Sequence, residues 1–104
     1  MRITFAQGLK KFKEPPGQAR LIDVREKDEF QEGHLPQAEL YPLTSLVQSV
    51  QDGAFEKDQV LLVYCRSGAR SGQACDYLRS QGYKQAYNIG GVLDYKDEFG
   101  PLEK

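Results

Sequence analysis

Cysteine and histidine are scarce in this chain. There are two cysteines, Cys65 and Cys75, and one histidine, His34. Two cysteines are too few for a disulfide framework. A structural zinc site takes about four Cys or His ligands, so no metal is expected. Long apolar runs are missing as well. The longest, Val60-Leu61-Leu62-Val63, is strand-sized and far short of the ~20 residues that span a bilayer. The opening Met1-Arg2-Ile3-Thr4-Phe5 has neither the apolar stretch nor the small-residue cleavage site of a secretory signal. A cytoplasmic location with reduced thiols is therefore expected. Charge of one sign is lacking too. The formal net charge is −1, without the basic field that attracts nucleic acid. Neither nucleic acid nor a membrane is expected as a partner, and any anion must be held by a local site. No internal repeat or low-complexity stretch is present.

What remains suits one soluble domain over residues 1–104: 39% hydrophobic and 28% charged residues support a modest core and argue against disorder. Turn signals recur at Pro15-Pro16-Gly17, Gly33 with Pro36, Asp52-Gly53, Gly68, Gly82 and Gly90-Gly91. Between them lie two kinds of segment. Leu21-Ile22-Asp23-Val24 and Val60-Leu61-Leu62-Val63-Tyr64 are short and apolar, the second reading as a central strand covered on both faces. Weaker strand candidates lie at Ala38–Tyr41 and Gln85–Asn88. Helical spacing appears elsewhere. Thr4 and Gln7 form a capping-box pair ahead of Phe5, Leu9 and Phe12. Leu43, Leu46, Val47 and Val50 share one face. So do Ser71, Ala74, Cys75 and Leu78, with Gly82 as the C-terminal stop. Glu26 to Glu32 reads as a short acidic helix anchored by Phe30, its charges a solvated face. Strand alternating with helix predicts an α/β domain with a mainly parallel sheet and helices on both faces. Ligand sites in such sheets lie at the carboxyl ends of the strands, here beyond Asp23-Val24 and Tyr64.

Directly after the strongest strand stands Cys65-Arg66-Ser67-Gly68-Ala69-Arg70-Ser71, and then a helix. The reactive form of cysteine is the thiolate, and its pKa falls at a helix N-terminus and near arginine. Successive loop amides can curl into an anion-binding nest, for which Gly68 supplies the backbone freedom. Arg66 and Arg70 add permanent positive charge. A cysteine at a strand end, taken alone, fits an ordinary core position. Two arginines, a glycine and two serines beside it point to a loop that holds an anion over a thiolate: Cys65 itself, a persulfide on it, or a donor such as thiosulfate. Four residues separate Cys65 from Arg70, whereas the loop of cysteine phosphatases has five. The shorter loop makes a tighter pocket, suited to a single terminal sulfur rather than a phosphoryl group.

This loop resembles the active-site loop of the rhodanese family, and further motifs follow in the family's order. Leu21-Ile22-Asp23-Val24-Arg25-Glu26 is similar to its Ile-Asp-Val-Arg-Glu strand end. Phe30-Gln31-Glu32-Gly33-His34-Leu35-Pro36 is similar to its Phe-x-x-Gly-His-Ile-Pro turn. Gly82-Tyr83 and Asn88-Ile89-Gly90-Gly91-Val92 resemble its closing Gly-Gly segment. The resemblance covers roughly residues 3 to 104. It implies a five-stranded, mainly parallel sheet flanked by helices on both faces. It also implies sulfane-sulfur transfer with no metal and no organic cofactor. Carried over by position, Cys65 is the nucleophile and persulfide carrier. The main chain of Arg66, Ser67, Gly68, Ala69 and Arg70 cradles the outer sulfur, and Arg70 meets the donor anion. The implied partners are a small anionic sulfur donor and a thiol acceptor, which can be a protein such as a thioredoxin. The rival readings are a persulfide-carrying module docking on a protein partner, and a phosphatase or arsenate reductase. Three positions depart from the family: Gln37 where a small residue is usual, Tyr95 where tryptophan is common, and Cys75 where alanine is frequent.

Asp23 and Arg25 sit at a strand end near the loop and read as a bracing pair, with Arg25 reaching Glu26 or Glu29. His34 reads as structural, bonded to backbone. Cys75 lies about ten residues beyond Cys65, some 10 Å or more along a helix, and reads as an inert core residue. Tyr41, Tyr77, Tyr83, Tyr87 and Tyr95 read as half-buried packing residues.

Overall fold

In the computed structural model, which describes residues 1–97 and 100–104, the chain begins with a helix because Thr4 stops the extended N-terminus. The Thr4 hydroxyl accepts from the Gln7 amide at 3.1 Å and the Gln7 side chain accepts from the Thr4 amide at 2.9 Å. This reciprocal cap starts α1 (Phe5–Lys13). Strand β1 (Ala19–Asp23) follows, then α2 (Lys27–Glu32), the short β2 (Glu39–Leu40), a 3-10 turn over Leu43–Ser45, α3 (Leu46–Gln51), β3 (Val60–Cys65), α4 (Ala69–Ser80) and β4 (Ala86–Gly91). A last 3-10 turn covers Val92–Asp94.

The strands pair in the order β2-β1-β3-β4, all parallel. The sheet thus has four strands rather than the five expected. The segment that would supply the fifth contributes one parallel bridge, Arg2 to Asn88, with Ile3 N donating to Asn88 O and Asn88 N to Met1 O. It grows no further because α1 begins at Phe5. The weak candidate at Ala38–Tyr41 also shrinks, to two residues.

Strand β3 shows how the sheet is covered. Leu61, Val63 and Cys65 face a core with Ile22, Leu46, Ala74, Cys75 and Leu78, so α3 and α4 cover that side. Leu62 and Tyr64 face the other core, with Phe5, Leu9, Leu21 and Ile89, so α1 covers the opposite side. Alternate residues of one strand feeding two cores explains its continuous apolar run. The spacing that places Leu43 and Val47 on a buried helical face holds in part: Leu46 is buried, but Leu43 lies in the 3-10 turn and Val47 is 48% exposed.

Helix α1 lies close on β4. A β-carbon at Gly8 would stand 2.4 Å from Ile89 Cγ2, so only glycine lets the two elements meet. Alanine for glycine in a free helix is worth about 1 kcal/mol of stability. Here Gly8→Ala is expected to destabilise the fold by about 1–3 kcal/mol through overpacking, read as a lower urea midpoint with unchanged slope.

Candidate active site

The carboxyl end of β3 delivers Cys65 to the amino end of α4. The side chain is 1% exposed, and a buried sulfur resists ionisation unless hydrogen-bond donors surround it. They do. Gly68 turns the chain with φ of +107°, a conformation that favours glycine. Its amide donates to Cys65 Sγ at 3.0 Å. The Ser71 hydroxyl stands 3.4 Å from the same sulfur. Burial pushes the Cys65 thiol up, but the Ser71 hydroxyl and the amides of Ser71, Gly68 and Ser67 outweigh it and bring the group below the ordinary cysteine value. The lowering comes chiefly from these short hydrogen bonds rather than from the arginines.

The hydroxyl of Ser71 has one hydrogen and three neighbours that can accept it: Asn88 Oδ1 at 2.7 Å, Gly90 O at 3.3 Å and the sulfur. With a neutral thiol the hydrogen belongs on Asn88, the nearest. With a thiolate it belongs on sulfur, since an anion accepts more strongly. Asn88 is a residue the sequence reading left unassigned. Its amide donates to Gly68 O at 3.0 Å and its Oδ1 accepts from Gly90 N at 3.0 Å. These two bonds fix its orientation and tie β4 to the turn.

The loop also rests on Gly91. A β-carbon there would lie 2.1 Å from Arg66 O and 2.6 Å from Ser67 N. Leu93 N donates to Arg66 O at 3.1 Å from the following turn. The family-like Gly-Gly segment therefore makes room for the loop.

The two loop arginines differ. Arg66 is exposed, and its guanidinium makes no hydrogen bond or ion pair among the described residues. Arg70 is engaged: Nη1 and Nη2 donate to Glu29 Oε1 and Oε2 at 2.6 and 2.9 Å. This pairing holds the Glu29 carboxyl down to about 2. So Arg70, expected to meet a donor anion, meets a carboxylate of α2. The acidic stretch read as a solvated face supplies that partner.

Arg25 does not reach Glu26 or Glu29 by hydrogen bond. It binds Asp23 through Nε and Nη2 at 2.8–3.1 Å, and Nη2 also donates to Gly33 O at 2.7 Å. Asp23 is fully buried, and Tyr64 packs beside it while its hydroxyl accepts from Leu35 N at 3.1 Å. Losing either member of such a buried pair typically costs about 3–5 kcal/mol. The pair thus braces the Gly33–Leu35 turn and reaches the loop only indirectly. His34 Nδ1 stands 2.9 Å from Phe30 O, which can only accept, and the ring stacks on Phe30 at 3.7 Å. Cys75 is buried on α4, and burial pushes its thiol up to about 12. Gln37 takes φ of +68°, the left-handed conformation for which a glycine would be better suited.

A depression of about 200 Å³ opens beside the loop, lined by Arg25, Glu29, Glu32, Gly33, Arg66, Val92 and Leu102. Two larger hollows, of about 520 and 640 Å³, flank α1 and have no cysteine in their walls. Among the described residues, no group of three or more His, Cys, Asp or Glu could hold a metal, and no helix is long and apolar enough to cross a membrane.

The chain is similar to known proteins. The family model described as a rhodanese-like domain matches residues 6–98. A sulfurtransferase of Allochromatium vinosum is 39% identical over 74 residues, 70% of this chain and 67% of its own. The thiosulfate sulfurtransferase GlpE of Vibrio cholerae is 38% identical over 79 residues, 74% of this chain and 71% of its own. Among solved structures, a rhodanese-like domain protein from Staphylococcus aureus matches with a TM-score of 0.83 at 29% identity, covering 98% of this chain and 95% of that one.

Removing the hydroxyl that faces the sulfur tests the electrostatics. In Ser71→Ala the Cys65 thiol is expected to titrate at higher pH, and its alkylation at neutral pH to slow several-fold. Both are read from the pH profile of iodoacetamide modification. An unshifted profile would remove Ser71 from the site.

Proposed function

The chain belongs to the rhodanese-like family, and from that premise we propose that it is a sulfurtransferase whose Cys65 thiolate takes sulfane sulfur from thiosulfate or a persulfide donor. The observation that carries this reading is the set of donors converging on Cys65 Sγ, with a net lowering of the thiol's pKa. The relatives named as sulfurtransferases support the reaction class.

The chemistry is a two-step exchange through a covalent intermediate. The thiolate attacks the outer sulfur of thiosulfate. A new S–S bond forms at Cys65, the old one breaks, and sulfite leaves with its electron pair. A persulfide anion remains, its outer sulfur cradled by the main chain of Arg66, Ser67, Gly68, Ala69 and Arg70. A thiophilic acceptor (cyanide, a small thiol, or a protein thiol such as that of a thioredoxin) then attacks the outer sulfur and restores the thiolate. Negative charge stays on sulfur in the loop between steps, so one set of amides serves the resting and loaded forms. No general base is needed once Cys65 is ionised, consistent with His34 being occupied by Phe30. Neither a metal nor an organic cofactor enters these steps.

A second reading, a persulfide carrier that docks on a protein partner, is favoured by one feature. Leu93, 62% exposed, adjoins the loop through Arg66 O, and Leu102 lines the depression. Exposed aliphatic side chains beside a buried thiol suit a protein surface better than a small ion. A phosphatase or arsenate reductase is disfavoured by the four-residue spacing.

The test is formation of thiocyanate from thiosulfate and cyanide. Wild type is expected to turn over and Cys65→Ser to be inactive. Incubation with thiosulfate should add the mass of one sulfur atom, lost again on adding cyanide. Equal turnover by Cys65→Ser would defeat the proposal. A slow thiosulfate rate beside a fast rate with a reduced protein thiol would select the carrier reading.

A further inference from the structure

We infer that Glu29 is a specificity-determining residue: its carboxylate occupies the Nη1/Nη2 edge of Arg70 and thereby weakens the hold of small dianions over Cys65. This inference rests on the sulfur-transfer reading and deepens it.

A guanidinium presents two edges, Nη1/Nη2 and Nε/Nη2, and the paired N–H groups of each match the spacing of a carboxylate, or of two oxygens on a sulfo group. In Arg70 the Nη1/Nη2 edge is filled by Glu29, at 2.6 and 2.9 Å. A dianion seeking it must share or displace a carboxylate and meet its negative charge. Glu29 is not easily displaced, since its Oε1 also accepts the Glu26 amide at 3.1 Å at the start of α2. The pair is only partly exposed, with side-chain exposures of 33% for Arg70 and 27% for Glu29, so solvent screens it incompletely. Arg70 stands in the first turn of α4, and Glu29 lines the depression beside the loop, which places this contest next to the sulfur's surroundings. Arg25 is committed to Asp23 and Gly33. Arg66 therefore remains to attract anions, while Arg70 meets them only beside the Glu29 carboxylate. Donors of lower charge, such as an alkyl persulfide, lose less by this arrangement than thiosulfate does.

Glu29→Gln is the informative change, because the amide oxygen still accepts from Glu26 N and from Arg70 Nη1 while the charge and the acceptor for Nη2 are gone. Sulfate titration of the Ser67, Gly68 and Ser71 amide signals by NMR measures anion affinity without turnover. The sulfate dissociation constant is expected to fall about fivefold in Glu29→Gln, the effect of about one favourable charge interaction at a partly exposed site. Glu29→Ala should lower it at least as far. Asp28→Asn, the same charge loss one residue earlier on α2, should not. In the thiocyanate assay the KM for thiosulfate should fall by the same factor with kcat unchanged, a split that a merely structural role would not produce. An unchanged sulfate affinity in both Glu29 variants, an equal shift in Asp28→Asn, or no sulfate response in any variant would overturn the inference. A wild type that makes no thiocyanate would instead defeat the sulfur-transfer reading, with the sulfate series still deciding the role of Glu29.

Discussion

A sulfur atom enclosed at the end of a parallel strand is comfortable as a thiol and costly as an anion, because burial removes the water that would solvate its charge. The segment after Cys65 reverses that preference with groups that need no reorganisation when the charge appears. The Gly68 amide and the Ser71 hydroxyl already stand 3.0 and 3.4 Å from the sulfur. Their aim depends on the strand-to-helix turn, so the geometry of that turn governs the chemistry. A strand ending at residue 65 and a helix beginning at residue 69 leave three residues to reverse direction. A left-handed glycine as the last of them, Gly68, is the economical solution.

The turn is then locked from several sides. Strand β4 holds it through Asn88, which bonds Gly68 O, and through Gly91, whose missing β-carbon admits the backbone of Arg66 and Ser67. The turn after β4 adds Leu93 N to Arg66 O. Helix α2 holds it through Glu29 and Arg70. Because the sheet is parallel, β1, β3 and β4 all end on the same side, and residues more than twenty positions apart meet around one sulfur.

Local features of the sequence were the legible ones. The capping pair of Thr4 and Gln7, the apolar run of β3 and the glycine at position 68 each express their consequence within a few residues, and each stands where its pattern places it. The family motifs extended this to the order of the elements. Long-range pairings were not legible. Nothing near Glu29 distinguishes it from Glu26 or Asp28, and only the packing of α2 against the loop selects it. Asn88 was hidden because its partners Ser71 and Gly68 lie on another element. The missing fifth strand has a local cause that outweighed the family pattern: the cap at Thr4 ends extended structure after one bridge to Asn88.

The same long-range logic relocates the influence of Asp23 and Arg25. Neither hydrogen-bonds the loop, yet both lie at the base of its support. Asp23 fixes Arg25, Arg25 holds Gly33 O, and Gly33 is the residue that closes α2. The Tyr64 hydroxyl steadies the same turn at Leu35 from the residue before the cysteine. Helix α2 has six residues and none of them is buried, so its own packing cannot fix its orientation. Its two ends can: the Thr44 hydroxyl donates to the Glu26 carboxylate at one end, and Arg25 grips the other. Orientation of α2 decides where the Glu29 carboxylate stands, and Glu29 decides what Arg70 can bind. The charge pair at the end of β1 thus acts on the thiol's surroundings through a helix that would otherwise be loosely held. This explains why a fully buried aspartate, costly in isolation, stands in a sheet whose other buried positions are nearly all apolar.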